Sequence, residues 1–464
     1  MLYWMQINRR LHFNYALEYA ASRANELEKP LLILEAVRAE YPWGSERTHH
    51  FLLEGMAEHQ HELARRGVTY YPFLEDQPGH GKGLLRLLAG KSCLVVSDEY
   101  PAYIIPEHNA AFAKQSQVPF YTVDSNGILP LNLTDKAPSS AFNFRRILQN
   151  NFVRFFSEPP VPDPLDNLKV ATPAVIPTSA LQTYPHAGWR LVDRNCFINR
   201  LPLDHNIGKL DIGGTRSAGL QRMKEFVHHE LNYYAERRSH PDEDGTSRLS
   251  PWLHFGKISV HEVVSEVFEC MPAGWSFRQL EDCKGKRNGF FRADESVEGF
   301  LDELITWRET GFHFCHHRPD YDQYEALPEW AKQTLHDHLP DERDYIYSYE
   351  ELASAQTHDE LWNAAQNQLR REGRIHNYMR MLWGKKVLEW TPDPQTALQY
   401  LIDLNNWYAI DGRDPNSYSG IFWIFGRFDR AWGPERPIFG KVRYMTSNSA
   451  RNKVRLKSYL EKYQ

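Results

Sequence analysis

Long apolar runs are missing from this chain. Stretches such as Leu31–Leu34 fall far short of the roughly 20 residues a membrane helix needs. A signal peptide is missing too, since the apolar start Met1–Met5 is too short and Arg9 and Arg10 follow it closely. Cysteine is scarce. Five residues, at 93, 196, 270, 283 and 315, contain no Cys-x-x-Cys, which excludes a disulfide framework or zinc knuckle and points to reduced thiols in a cytoplasmic protein. Nor is there a basic excess: 54 Lys and Arg face 60 Asp and Glu, for a net charge of −6. A uniformly basic nucleic-acid coat is thereby excluded; a local basic face is not. Aromatic side chains, in contrast, are abundant, with 24 Phe, 24 Tyr and 13 Trp. With 42% hydrophobic and 25% charged residues the composition is that of a folded protein. At 464 residues the chain exceeds what one core usually supports, so two domains are expected.

In the N-terminal third, short apolar runs (Leu2–Met5, Leu31–Leu34, Val68–Phe73, Cys93–Ser97 and Pro119–Asp124) alternate with helical stretches near 11–28, 46–66, 83–90 and 106–117. Asn8 and Ser45 stand where N-caps belong. This alternation predicts a Rossmann-like parallel sheet over residues 1–133, covered by helices on both faces and able to hold a ligand at the carboxyl ends of its strands. Gly79-His-Gly-Lys-Gly83 lacks the ending of a phosphate loop and reads as a turn before a helix. Residues 134–206, interrupted by Pro159, Pro160, Pro162, Pro164, Pro173 and Pro177, read as a long connector. From 207 to 464 the pattern is all-helical, with candidates at 215–236, 260–270, 297–313, 349–354, 358–371, 374–389 and 394–406. A helical domain rich in Trp is a natural container for a large planar cofactor.

The C-terminal half carries the chemistry. Thr246-Ser-Arg-Leu249 precedes Ser250-Pro251 and offers hydroxyls and N–H groups to a phosphate, although from spacing alone an ordinary Ser N-cap with Pro at the first helical position is the better reading. Glu303 and Trp307 are four apart on one helix face, and a surface Glu beside a core Trp is the plain alternative. Trp383 and Trp390 lie two helical turns apart, with Trp362 on the preceding helix; such stripes are most often core. Arg380 and Asp411 are of opposite charge and suited to a buried pair. From 436 to 462 eight basic residues, Lys441 and Arg443 among them, face one acid, which suits a docking surface for a polyanion. His313, Cys315, His316 and His317 have no matching second half-site, so no metal is expected.

Several stretches together resemble the photolyase/cryptochrome family, and class II cyclobutane pyrimidine dimer photolyases in particular. They are Leu249-Ser-Pro-Trp-Leu-His-Phe-Gly-Lys-Ile-Ser259, Asp302-Glu-Leu-Ile-Thr-Trp-Arg-Glu309, Thr357-His-Asp-Glu-Leu-Trp-Asn-Ala-Ala-Gln366, His376-Asn-Tyr-Met-Arg-Met-Leu-Trp383, Asp411-Gly-Arg-Asp-Pro-Asn416 and Gly440-Lys-Val-Arg-Tyr-Met445. The likeness runs continuously from about 230 to 464 and more weakly over 1–150. It implies an enzyme that repairs dimers in DNA with light and reduced FAD, acting as a monomer without a membrane. Tyr234, Thr246, Ser247, Arg248, Leu249, Arg380, Asn405, Asp411 and Arg413 match its cofactor positions, with Asn405 facing flavin N5. Glu303, Trp307, Met381 and Trp423 match the lesion pocket. The resemblance makes Trp383, Trp362 and Trp390 an electron relay in that order, from the flavin towards solvent. It assigns DNA contact to Arg238, Arg430, Trp432, Lys441 and Arg443. An antenna chromophore in the N-terminal domain is compatible with it, of no identifiable kind.

The chain departs from the pattern at His316-His317, Ser417, Ser239 and a shortened loop from Trp423 to Trp432 containing Phe428. A flavin-binding light receptor without repair activity is the alternative; retention of Glu303, Trp307, Trp423 and Arg443 speaks against it, as does the lack of a long tail. Repair of (6-4) photoproducts would call for a His pair in the pocket, and His316-His317 lies on a different motif.

Overall fold

Runs rich in β-branched, aromatic and leucine side chains form strands β1 (Leu2–Met5), β2 (Leu32–Val37), β3 (Thr69–Leu74), β4 (Val95–Glu99) and β5 (Phe120–Asp124). The computed structural model describes every residue except Ala171 and the Trp189 side chain. All five strands are parallel, in the order β3-β2-β1-β4-β5. Because successive side chains alternate across a strand, Tyr3, Met5, Ile33, Tyr70 and Val96 enter one core, while Leu2, Leu32, Leu34, Tyr71, Phe73 and Val95 enter the other. The first core is closed by α1 (Tyr15–Glu26) and α2 (Glu46–Arg66), through residues such as Leu17 and Leu63. The second is closed by α3 (Leu84–Ala89) and α4 (Ile105–Ala113), through Leu88 and Phe112. A fully parallel sheet requires this cover on both faces.

Local chemistry sets the helix starts. Ser45 caps α2 in a capping box with Thr48, as the sequence predicts. The cap of α1 is Asn14 rather than Asn8: its side chain accepts from the N–H groups of Ala16 and Leu17, while Asn8 Oδ1 accepts from Arg10 Nη1 at 3.0 Å. Gly79 and Gly83 hold φ of 88° and 94° in a turn before α3, a conformation that favours glycine.

Packing divides the chain into two units, Met1–Pro130 with Arg154–Lys224 and Leu249–Glu269, and Leu131–Val153 with Glu225–Arg248 and Cys270–Gln464. These boundaries differ from those read at 133 and 206. Most of 207–269 joins the sheet unit, where Trp252 Nε1 donates to Gly213 O at 2.9 Å and Arg10 Nη1 donates to Gly256 O at 3.1 Å. The connector is also more ordered than its prolines suggest. It contains α5 (Ala141–Phe156), with Phe144, Leu148, Phe152 and Phe156 buried at four-residue spacing. Within the helical unit Arg145 of α5 forms a two-pronged pair with Asp302 at 2.8 and 3.0 Å.

Two expected helices are interrupted. In place of 215–236 stand α6 (Arg216–Glu225), a π-helical turn Phe226–Glu230, a 3-10 turn and a short helix Tyr234–Arg237. In place of 297–313, helix Glu295–Leu301 passes through a π-helical segment Asp302–Trp307 into α7 (Arg308–His317). Then α8 (Glu360–Glu372), α9 (Asn377–Glu389) and α10 (Pro394–Tyr408) lie where expected. Beyond the prediction are α11 (Pro415–Ile424), capped by Asp414 with Pro415 at its first position, and α12 (Lys457–Tyr463).

Candidate active site in the helical unit

The π-helical segment brings Glu303 and Trp307 to the site. Such wide turns are rare and recur at functional sites. Trp307 stacks on Trp423 of α11, ring centroids 4.6 Å apart and planes 19° from parallel. The stack is possible because α7 and α11 approach closely at Gly311, where a Cβ would lie 2.7 Å from Ser419 Oγ and 2.9 Å from Pro415 O. Glu303, 31% exposed, accepts from Arg238 Nη2 at 2.5 Å. The Arg238 guanidinium lies over the Tyr234 ring at 5.1 Å. Burial pulls the Arg238 pKa down, but the Glu303 carboxylate outweighs it and holds the group above its ordinary value. Tyr234, Arg238, Glu303, Trp307 and Trp423 therefore form one constellation. Met381 lies partly buried on α9.

The three tryptophans of the expected relay cluster. Trp362 Nε1 donates to Trp383 O at 2.9 Å, and Trp383 Nε1 donates to Gln366 Oε1 at 2.9 Å. Trp362 meets Trp390 edge to face at 5.7 Å. Trp390 caps the C-terminus of α9 and is only 2% exposed, so it does not itself reach solvent as expected. Tyr347 and His358 cover it, edge-on at 5.4 and 5.1 Å.

The positions expected to hold a cofactor divide into two groups. Thr246 and Ser247 are partly buried, Leu249 is buried, and Arg248 adopts φ 59° and donates to Asp244 Oδ2 at 2.5 Å. Arg413 also adopts a left-handed φ, 69°, and donates to the carbonyls of Asn406 at 3.0 Å and Ile410 at 3.3 Å. Two non-glycine residues in this region represent stored backbone strain of the kind found at ligand clamps. Asn405 Nδ2 donates to Asn406 Oδ1 at 3.2 Å. The expected ion pair of Arg380 with Asp411 is not formed among the described residues; both are only partly buried, so neither needs the other to escape desolvation.

Sequence reasoning missed His376, which caps the N-terminus of α9. Its ring is 2% exposed, and Nε2 has no hydrogen-bond partner among the described residues. Burial lowers its pKa to about 4, in a setting that includes Asp244, Arg374 and Arg380. A neutral imidazole with an unmet nitrogen, in the field of the Arg374 and Arg380 guanidiniums, is a donor and acceptor set suited to the ribose and phosphates of a dinucleotide. Its position three residues before Met379 and four before Arg380 was the available signal.

On the surface, Trp432 is 38% exposed and has Arg430 and Arg443 over its ring, each at 5.2 Å. Its indole donates to Asp429 Oδ1 at 3.1 Å, and its backbone N–H donates to Lys441 O at 2.8 Å. Lys441 Nζ is 3.2 Å from Glu435. No group of residues suited to hold a metal occurs among the described residues; Thr134 instead joins His313 and His317, at 3.2 and 3.0 Å. No helix among the described residues is long and apolar enough to cross a membrane.

The chain thus joins in sequence a parallel-sheet unit and a helical unit that carries clustered Trp and a stacked Trp pair. Residues 1–149 match the DNA photolyase family. The chain is 36% identical to a deoxyribodipyrimidine photo-lyase of Methanothermobacter thermautotrophicus, over 100% of this chain and 94% of the relative. It is 32% identical to the enzyme of Potorous tridactylus, over 97% and 79% respectively. It also resembles in fold a class III photolyase from Agrobacterium tumefaciens, with a TM-score of 0.67, 16% identity and coverage of 100% and 86%. The chain belongs to the photolyase family.

Proposed function

We propose that this chain repairs cyclobutane pyrimidine dimers in DNA by light, as a class II photolyase using reduced FAD. The observation that carries the reading is the Trp307–Trp423 stack with Glu303 on the same π-helical segment. At 4.6 Å the rings leave no room between them, so a dimer packs across the pair. Base–aromatic contact contributes about 1–3 kcal/mol per base, which offsets the few kcal/mol needed to swing a lesion out of the duplex. Glu303 exchanges Arg238 for the bases, and Arg238 turns to the DNA backbone. The class II assignment is supported by the motifs around Glu303, Trp362, Trp383 and Arg443.

Within the helical unit Thr246, Ser247, Arg248, Tyr234, His376, Arg380, Asn405, Asp411 and Arg413 would hold FAD. When bound and reduced, FAD supplies the light-driven electron that opens the cyclobutane ring. Trp383, Trp362 and Trp390 conduct electrons inward, with Tyr347 and His358 lying between Trp390 and solvent. Met381 lines the pocket, and Arg430, Trp432, Lys441 and Arg443 dock the duplex. The test mixes photoreduced protein with ultraviolet-damaged oligonucleotide and follows dimers in blue light and in darkness. Loss in light alone is expected; loss in both, or in neither, rejects the reading.

A further inference from the structure

Lys385 is a buried cation that the repair reading leaves without a task. It lies on α9 two residues beyond Trp383, is 1% exposed, and donates from Nζ to the backbone carbonyl of Ile424. Ile424 is the last residue of α11, and its neighbour Trp423 is half of the stacked pair. The final carbonyls of any helix lack partners within the helix. At the end of α11, Phe422 O accepts from the N–H groups of Phe425 and Arg427, and Trp423 O accepts from Gly426 N–H. Ile424 O is closed by the lysine.

The contact is built for. A Cβ on Gly384 would lie 2.0 Å from Ile424 Cδ1, so glycine here leaves room for the Ile424 side chain next to the Lys385 contact. A cation at a helix C-terminus is favoured by the helix dipole. The charged groups facing Lys385 are Asp429, in the turn after α11, and Arg443. Asp429 in turn accepts the Trp432 indole. The buried ammonium thus closes the end of the Trp423 helix and feels the charge of Asp429 in the turn bearing Trp432.

We propose that Lys385 is a positioning residue for lesion recognition: by closing the end of α11 it fixes Trp423 against Trp307, so that a dimer meets a preformed aromatic surface. The proposal rests on the repair reading above and deepens it. Burial brings the Lys385 pKa down to about 7, opposed by Asp429. The ammonium, and its hold on the helix end, therefore weakens as pH rises through neutrality.

The test compares wild type with Lys385→Met, each loaded with FAD, on a dimer-containing duplex and on the same duplex undamaged. Repair by wild type in light is established first, because its absence defeats the repair reading and not the lysine's role. In Lys385→Met, affinity for damaged duplex should fall about tenfold, the usual scale for losing one hydrogen bond from a charged donor. Affinity for undamaged duplex and the rate of flavin photoreduction, which runs through Trp383 on the same helix, should stay unchanged. Wild-type discrimination should also decline from about pH 6 to 8, and the variant should lack that step. Unchanged affinity for damaged duplex overturns the proposal, as does an equal loss on both duplexes. Should the variant fail to accumulate, the wild-type profile decides, and discrimination that is flat across that range overturns the proposal.

Discussion

Two carboxylates, one in each unit, show how differently the two halves use polar groups. Glu35 sits fully buried in β2, within hydrogen-bonding distance of Arg9 Nη1 at 2.8 Å, His59 Nδ1 at 2.8 Å and the Tyr70 hydroxyl at 2.6 Å. Burial alone would raise its pKa, but His59 and Arg9 reverse this and hold it far below the usual carboxylate range. Asp98 is engaged in the same way, by the N–H groups of Gln6, Ile7 and Asn8 and by the Tyr3 hydroxyl. Glu303 has one partner, Arg238, and is 31% exposed. A carboxylate with several fixed partners is part of the frame; a partly exposed one with a single partner among the described residues can exchange it for a ligand. Burial and partner number together separate architecture from chemistry here, where residue type does not.

The largest effect expected is on the sheet unit. Glu35→Ala leaves Arg9 and His59 buried without their anion, which costs about 3–5 kcal/mol, read as a lower urea midpoint. The folded-state pKa of Glu35 is depressed, so its contribution is complete above the unfolded value of about 4.3 and is lost as pH falls below it. The variant should accordingly show a flatter acid limb in its stability profile. A loss under about 1 kcal/mol would break the comparison at its strong end. Glu303→Ala should do the reverse. Stability falls less than in Glu35→Ala because Glu303 itself is 31% exposed, although Arg238 is more buried, flavin binding is retained, and repair falls about 10- to 100-fold, the scale of a hydrogen bond to a charged group. Dimer loss per photon absorbed measures it, and unimpaired repair removes Glu303 from the pocket.

The same contrast governs what could be read in advance. The strands of the sheet unit were legible because apolar runs bounded by turn residues have few other uses, and each begins within two residues of its expected start. The α5 helix escaped, although Phe144, Leu148, Phe152 and Phe156 fall at helical spacing, because the prolines just after it dominated the pattern. In the helical unit the motifs located Glu303, Trp307, Trp362, Trp383 and Trp423, but side-chain spacing does not reveal a π turn, which differs from an α turn in backbone hydrogen bonding alone. Nor did it reveal Lys385 or the unmet nitrogen of His376. Their meaning depends on Ile424 O for the lysine and on Asp244 for the histidine, both far away in sequence.

The smallest effect expected distinguishes the outer face of the helical unit from its pocket. Arg430 lies over an exposed Trp432 and has no buried charge to satisfy, so Arg430→Gln should leave stability nearly unchanged. If it contacts a phosphate, affinity for duplex falls a few-fold and equally for damaged and undamaged DNA, because the backbone charge is the same in both. The slope of log affinity against log salt should then decrease in magnitude by about 1, corresponding to one fewer displaced counterion. Glu303→Ala should instead leave that slope alone and reduce only the preference for damaged DNA. Titrations of both variants at several salt concentrations separate the two roles. An unchanged slope with reduced selectivity in Arg430→Gln would place Arg430 in the pocket and move the boundary between docking and recognition to the Trp432 turn.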